Sequence, residues 1–354
     1  MQLANGLLRQ NNNFDLIRLI AACAVIFGHA YALVPRAGEV PPEIVLRTLG
    51  FDYSGSLAVK LFFFLSGLVV TDSVVRNANP INFFISRIFR IFPALIVCVF
   101  LTALVLGPLV TSLALTEYFK SPEITQYLVK NINLNLHWTL PGVFTKHKIT
   151  GVNGSLWTLP LEVFCYSVLF ALSLVGTVKS KLVGSLTMLG IIGLCIFFPQ
   201  TLQNIGFGGE AVLFPACFAL GSLFAINKDS LMIRLDIFLG LLLLLMLFRK
   251  TPLFMYLFYA AFFYGALVIA LLPIIQKIKP PGDYSYGIYI YGFPIQQSMV
   301  FLAPEWGVYR NQLATLVVVI LLAAMSWYLI ERPSIQFGKY LMGKLQLLKR
   351  GSSK

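Results

Sequence analysis

An arginine and a histidine lie eleven residues apart in a stretch that is otherwise almost wholly apolar. Residues 14–34 read F-D-L-I-R-L-I-A-A-C-A-V-I-F-G-H-A-Y-A-L-V, with Arg18 near the beginning and His29 further along. Eleven residues are close to three full turns of an α-helix, so both side chains project from one face. A cation and an imidazole are costly to place in lipid, and they normally face a bundle interior or a wet cavity. We therefore expect this face to carry chemistry.

His29 is the predicted general base, because a neutral imidazole can accept a proton near pH 7. Counting depth at ~1.5 Å per residue along two helices that enter from opposite sides places Glu162 at a similar level. A carboxylate at that level can orient the imidazole or stabilise its cation. The alternative is a core histidine bonded to a backbone carbonyl. Arg18 on the same face and Glu162 at matching depth favour the catalytic interpretation.

Three arginines at the predicted inner edge of the membrane favour anion binding. Arg87 and Arg90 are three residues apart and share a helix face, and Arg18 and Asp72 are predicted at the same depth. Guanidinium groups form paired hydrogen bonds with phosphate oxygens. Ordinary anchoring of positive charge at the inner surface is the alternative explanation for Arg87 and Arg90.

The stretch V-N-G-S-L-W-T-L-P-L-E at residues 152–162 adds further polar candidates. Asn153, Ser155 and Trp157 are candidate substrate-binding residues or donors to a developing oxyanion. Ser155 also suits a helix N-cap, and Trp157 is a typical anchor at a membrane interface. Pro160 falls six residues into the predicted span, so we expect it to kink that helix.

The elements that must position these side chains are predicted to be transmembrane helices. The 354 residues are 58% hydrophobic and only 12% charged, whereas a soluble domain has about 25% charged residues. Apolar runs of about 20 residues recur and favour helices over the strands of a barrel. The five cysteines lie inside these runs without ligand spacing, so we predict no metal site and no disulfide framework. The ten predicted spans are roughly 14–35, 57–76, 90–110, 155–176, 182–198, 210–226, 233–248, 253–275, 283–303 and 313–330.

Ten spans place both termini on one side of the membrane. That side receives 17 of the 27 lysines and arginines, and the positive-inside rule therefore assigns it to the cytoplasm. We expect a cytoplasmic tail at 1–13 and a transmembrane domain at 14–333 with an outer loop at about 111–154. A basic amphipathic cytoplasmic tail follows at 334–354. The net charge of +13 fits contact with anionic membrane lipids and indicates no nucleic-acid partner.

Six motifs follow one another along nearly the whole chain. They are R-x10-H from Arg18 to His29, K-L-F-F-F-L-S-G-L at 60–68, S-R-I-F-R-I-F-P-A at 86–94, V-N-G-S-L-W-T-L-P-L-E at 152–162, Y-S-Y-G-I-Y-I at 284–290 and I-E-R-P at 330–333. In this order they resemble the membrane-bound acyltransferase 3 family. That family often carries a histidine shortly after the fifth motif, where this chain reads Ile290-Tyr291-Gly292-Phe293-Pro294, so no role of that histidine is carried over.

The resemblance implies a bacterial inner-membrane O-acyltransferase, often an O-acetyltransferase of surface polysaccharides such as O-antigen. It implies acetyl-CoA or another acyl-CoA as a cytoplasmic co-substrate, with no bound cofactor, and a glycan or lipid-linked glycan acceptor at the outer face. Arg18, Arg87 and Arg90 would hold the acyl-CoA. His29 would deprotonate a sugar hydroxyl or accept the acyl group itself. The alternative from another class is a transporter of a lipid-linked sugar, although the internal repeats of many transporters are not evident.

Overall fold

The computed structural model describes residues 1–76, 79–204 and 206–351. Over these residues the only β-structure is two isolated bridges, Gln2–Met232 and Thr111–Val143. Long apolar runs form helices because a backbone in lipid must satisfy its hydrogen bonds internally. The main helices are α1 (Phe14–Leu33), α2 (Ser54–Arg76), α3 (Pro80–Leu101), α4 (Leu159–Leu174), α5 (Lys181–Phe197), α6 (Phe214–Ile226), α7 (Leu235–Leu247), α8 (Phe254–Ala270), α9 (Ser285–Leu302), α10 (Val308–Ser326) and α11 (Arg332–Gly351).

Shorter helical segments connect the main helices. π-helical turns extend α3 at Thr102–Leu106 and join α10 to α11 at Trp327–Glu331. The short α-helices are Leu3–Gly6, Ile44–Leu49, Gly107–Val110, Leu115–Lys120, Pro122–Ile132, Pro199–Asn204 and Pro273–Lys277, and the 3-10 turns are Arg9–Asn11, Pro35–Glu39, Gly154–Thr158, Thr177–Lys179 and Gly209–Leu213.

A helix occupies each of the ten predicted spans, which confirms the all-helical membrane class. Six helical stretches are long and apolar enough to cross a membrane, and the apolar helices α5, α7 and α8 are shorter than these. The protein is therefore a multi-pass helical membrane protein, while the number of crossings and the side of the termini stay predictions. The six helical stretches that are long and apolar enough to cross a membrane are Phe14–Leu33, Ser54–Arg76, Ile81–Val110, Gly154–Leu174, Gly209–Ile226 and Val308–Leu345.

Helices α2 and α6 pack unusually closely at the centre of the bundle. A Cβ atom on Gly67 would lie 2.0 Å from the carbonyl oxygen of Phe218, and one on Gly221 would lie 2.0 Å from that of Phe64. Small residues let membrane helices approach until their backbones touch, because lipid supplies no hydrophobic force to drive them together. The reciprocal glycines fix the distance between these two helices.

The beginning of α4 differs from the prediction. The 3-10 turn Gly154–Thr158 precedes it, and Pro160 lies in the first helical turn, where a missing N–H costs nothing. The expected kink at Pro160 is therefore wrong. The 3-10 turn is capped by Asn153 rather than Ser155, because the Asn153 side chain accepts the Ser155 N–H at 3.2 Å.

The outer loop at 111–154 is largely folded onto the bundle. Its helix Pro122–Ile132 is amphipathic and buries Ile124 and Tyr127. The Tyr118 hydroxyl donates to the carbonyl oxygen of Ala103 at 2.7 Å, which ties the loop to the π-turn after α3. The loop thus packs on α3 and on the π-turn that follows it, while its position on the outer side stays a prediction.

Both chain ends contact the bundle. Leu3 is fully buried, and its N–H donates to the Leu231 carbonyl oxygen at 2.9 Å, so residues 1–13 are packed in place rather than free. Helix α11 continues α10 and lays Phe337 against Phe89 of α3, with ring centroids 5.5 Å apart. Contact of α11 with lipid stays a prediction.

Candidate active site

A cavity of about 210 Å³ lies between α1, α2, α3, α4 and the beginning of α9. Four of the predicted site residues line it, one from α1, two from α3 and one from α4. The helix packing therefore brings together side chains that are up to 144 positions apart in the chain, Arg18 and Glu162 being the extremes. The charged and polar lining residues are Arg18, Ser66, Arg87, Arg90, Thr158, Glu162, Tyr166, Asp283, Ser285, Tyr286 and Tyr289.

The three arginines of the cavity differ in how their charge is balanced. Arg90 contacts two carboxylates, Asp283 at 2.6 Å and Glu331 at 3.2 Å. Arg18 lies 3.8 Å from Asp15, a long contact. Arg87 lies over the ring of Tyr166 at 5.7 Å, and no carboxylate of the described residues lies within 4 Å of it. Arg18 and Arg87 are therefore the guanidinium groups best placed to receive an anion.

Glu162 faces the arginine cavity and does not contact His29. Its Oε1 accepts a hydrogen bond from the Tyr166 hydroxyl, one turn further along α4, and another from Ser66 at 3.3 Å. The prediction that Glu162 lies level with His29 is therefore wrong, because Glu162 lines the cavity of Arg18, Arg87 and Arg90 and His29 does not. The direction of its side chain around the axis could not be read from depth.

His29 lies further along α1 than the cavity and is not among its lining residues. Its ring meets Phe293 of α9 edge to face, with centroids 5.2 Å apart, and its buried Nδ1 has no hydrogen-bond partner. Phe293 follows Tyr289 by one turn of α9, about 6 Å at the α-helical rise, and Tyr289 lines the cavity. On α9, Phe293 thus contacts the imidazole, and Tyr289, one turn earlier, lines the cavity.

The stretch from 153 to 157 contacts α9 through its first two residues. Gly154 is in contact with Phe293, since a Cβ there would lie 2.4 Å from its ring. The Asn153 amide donates to the Ile290 carbonyl oxygen at 2.9 Å, so both ends of that side chain are engaged. The buried Ser155 Oγ has no partner. Trp157 packs on Phe214, with centroids 5.5 Å apart.

A wider polar vestibule of about 740 Å³ adjoins the cavity at Arg18 and Val69, which line both. Its other basic side chains are Arg9, Arg76 and Lys279. The vestibule lies at the N-terminal end of α1, the side predicted to be cytoplasmic. Arg18 therefore lies where the vestibule and the cavity meet.

Sequence reasoning missed the partners of the arginines. Asp283 and Glu331 were inside or beside quoted motifs, but their pairing with Arg90 joins residues 193 and 241 positions apart. Tyr166 was also missed, although its spacing of four residues from Glu162 on a helix is a signal for contact. In the described residues no group of three or more His, Cys, Asp or Glu side chains could hold a metal ion.

Comparisons with known proteins agree with this architecture. The family model described as "Acyltransferase domain" matches residues 11–331. An "O-acetyl transferase" of Shigella phage Sf6 is 30% identical over 342 residues, which cover 92% of this chain and 96% of the relative. The "Nodulation protein 10" of Rhizobium leguminosarum bv. viciae is 33% identical over 165 residues, 44% of this chain and 42% of that protein. No solved structure matches significantly.

The family model covers the first helix with its arginine and histidine, the cavity and the beginning of α9 in one continuous match. Together with the long apolar helices, this match defines the class of the protein. The chain belongs to the acyltransferase 3 family and is a multi-pass membrane acyltransferase.

Proposed function

We propose that this protein is an O-acetyltransferase that moves an acetyl group from acetyl-CoA to a hydroxyl of a surface glycan, in the inner membrane of a bacterium. The acceptor is free or linked to a lipid, as in an O-antigen precursor. Support for O-acetyl transfer comes from the phage relative, whose name states that activity and whose match covers nearly the whole chain. Both termini then lie in the cytoplasm, in keeping with the excess of basic residues on their side.

The observation that carries the donor assignment is a pair of guanidinium groups at the end of the vestibule, Arg18 with only a long contact of 3.8 Å to Asp15 and Arg87 with no carboxylate of the described residues within 4 Å. Acyl-CoA carries several phosphates at one end and a thioester at the other. The vestibule suits the phosphates, because guanidinium groups and lysines bind phosphate oxygens well. The pantetheine arm, roughly 20 Å when extended, then carries the thioester along α1 toward His29.

His29 is the proposed general base or acyl relay. A ring nitrogen without a partner is free to take a proton from an acceptor hydroxyl or to attack the thioester. Both routes remain open. Ser155, with its free hydroxyl, is the best-placed donor to a developing oxyanion among the three predicted residues, because the Asn153 amide is engaged and Trp157 packs on Phe214.

The test compares surface polysaccharide from a deletion strain, a complemented strain and a strain carrying His29→Ala, by NMR of ester-linked acetyl groups. We expect the ester signal only with the wild-type gene, while a His137→Ala strain, altered in the outer loop, retains it. Membrane levels of each variant are compared by immunoblot. Normal esters in the His29→Ala strain would contradict the mechanism.

The same samples address the transporter alternative. Polysaccharide that keeps its esters but fails to reach the surface in the deletion strain would favour transport of a lipid-linked sugar. Transfer of label from acetyl-CoA to the isolated glycan is then measured with purified protein in detergent. An acyltransferase forms a labelled acetyl ester, whereas a transporter forms none.

A further inference from the structure

Arg87 and Arg90 belong to the same motif and line the same cavity, but their surroundings differ. We infer that Arg90 is a positioning residue that joins three elements, and that the donor's anionic groups are held by Arg18 and Arg87 without it. The inference rests on the proposed function for its kinetic part only. Its structural part, a closed ion network around Arg90, can be tested independently.

The charge of Arg90 is already balanced. Its Nη2 donates to Asp283 Oδ2 at 2.6 Å and its Nη1 to Glu331 Oε2 at 3.2 Å. Its guanidinium plane also lies over the ring of Tyr286, 5.6 Å from the centroid. A guanidinium group that is bonded to two carboxyl groups has little positive charge left with which to hold a phosphate.

The two carboxylates are themselves saturated. Ser285 Oγ donates to Asp283 Oδ1 at 2.7 Å, and Ser326 Oγ donates to Glu331 Oε1 at 2.9 Å. Every carboxylate oxygen in the network thus has a partner, and Glu331 is only 1% exposed. A buried polar network is stable when every member is satisfied, and removing one charge from it is expensive.

The network connects distant parts of the chain at one point. Arg90 lies on α3, Asp283 precedes α9, and Glu331 ends the π-turn between α10 and α11. The Tyr286 hydroxyl adds a bond from α9 to the Ile91 carbonyl oxygen of α3, at 2.9 Å. These contacts hold α3 at a fixed rotation, which directs Arg87, one turn earlier, over Tyr166 and into the cavity.

The test uses charge removal and its reversal in full-length protein in detergent. Arg90→Met leaves two buried carboxylates unpaired, so we expect a large fall in melting temperature and in kcat. Adding Asp283→Asn and Glu331→Gln to Arg90→Met makes the network neutral. This triple variant should regain the melting temperature and most of kcat, and its KM for acyl-CoA should be nearly that of the wild type. Arg87→Gln is the matched comparison: it should keep the melting temperature and raise the donor KM by about 10- to 100-fold, the worth of a lost charge-assisted hydrogen bond.

Arg90→Lys provides a second measurement if the triple variant does not fold. A lysine keeps the charge but cannot bridge both carboxylates with a planar fork. We expect a lower melting temperature with an unchanged donor KM. The inference would be overturned if the donor KM rose in a stable Arg90→Lys protein as it does in Arg87→Gln. The same rise in a folded triple variant would also overturn it. If the wild-type protein transfers no acyl group, the proposed function fails, whereas the melting temperatures still decide whether the network exists.

Discussion

His29 Nδ1 and Ser155 Oγ are two buried polar atoms without a hydrogen-bond partner in the protein. An unsatisfied buried group costs roughly 1–3 kcal/mol, so both atoms are available to bond a substrate. Phe293 contacts the His29 ring and lies against Gly154, the residue before Ser155. The acceptor hydroxyl and the thioester carbonyl are the groups that the proposed reaction would bring to these atoms.

Ser155→Ala separates a role in catalysis from a role in folding. Because the hydroxyl makes no bond in the protein, its removal should leave the melting temperature unchanged or slightly higher. If Ser155 donates to the oxyanion, kcat should fall by about 10²- to 10³-fold. Thermal unfolding and single-turnover transfer are measured on the same preparation, and unchanged kcat would remove Ser155 from the mechanism.

Lys60 and Asp52 form a buried ion pair away from the arginine cavity. Their side chains are 3% and 2% exposed, the Nζ–Oδ2 distance is 2.8 Å, and Tyr259 also donates to Asp52 at 2.8 Å. Lys60→Met leaves a buried carboxylate without its cation, so it should cost about 3–5 kcal/mol. Lys60→Met combined with Asp52→Asn should recover most of that loss in thermal unfolding, and equal instability of the two variants would contradict the pairing.

At the level of elements, the contact between α2 and α6 sets the wall of the cavity that carries Ser66. Gly67→Ala or Gly221→Ala places a methyl group against a backbone carbonyl, and such overpacking costs about 1–3 kcal/mol. We expect a lower melting temperature and reduced activity from either change. Gly240→Ala in α7 is the control, because nothing lies within 4 Å of a Cβ there, and an equal loss in that variant would count against a close helix contact.

The elements themselves follow from the sequence, whereas the contacts between them do not. Length and hydropathy of the apolar runs predict where each helix lies, and the Arg18–His29 spacing predicts a shared face. The beginning of α4 was misplaced by a few residues because a 3-10 turn and an α-helix are equally apolar there, so Pro160 was expected inside the helix. The pairing of Arg90 with Glu331 depends on how α3 meets the π-turn before α11, which no local pattern encodes.

For the whole molecule, the topology is the prediction that matters most for the direction of transfer. In a variant whose five native cysteines are replaced, Thr145→Cys lies in the outer loop and Gly343→Cys in α11. A membrane-impermeant maleimide should label the first in intact spheroplasts and the second only after lysis, because the positive-inside rule places α11 in the cytoplasm. Labelling of both in intact spheroplasts would reverse or alter the assigned topology.

The uninterrupted course of α1 from Phe14 to Leu33 has a consequence for which donors the enzyme can use. Arg18 and His29 are fixed on one rigid rod, about 16 Å apart along its axis at the α-helical rise. In the proposed mechanism, a donor whose anionic end is held by Arg18 must therefore be long enough to present its acyl group at His29. Acyl-CoA would meet that length, but a compact activated acyl group such as acetyl phosphate would not. Under that mechanism the first helix would select donors by the distance between their anionic end and their acyl group.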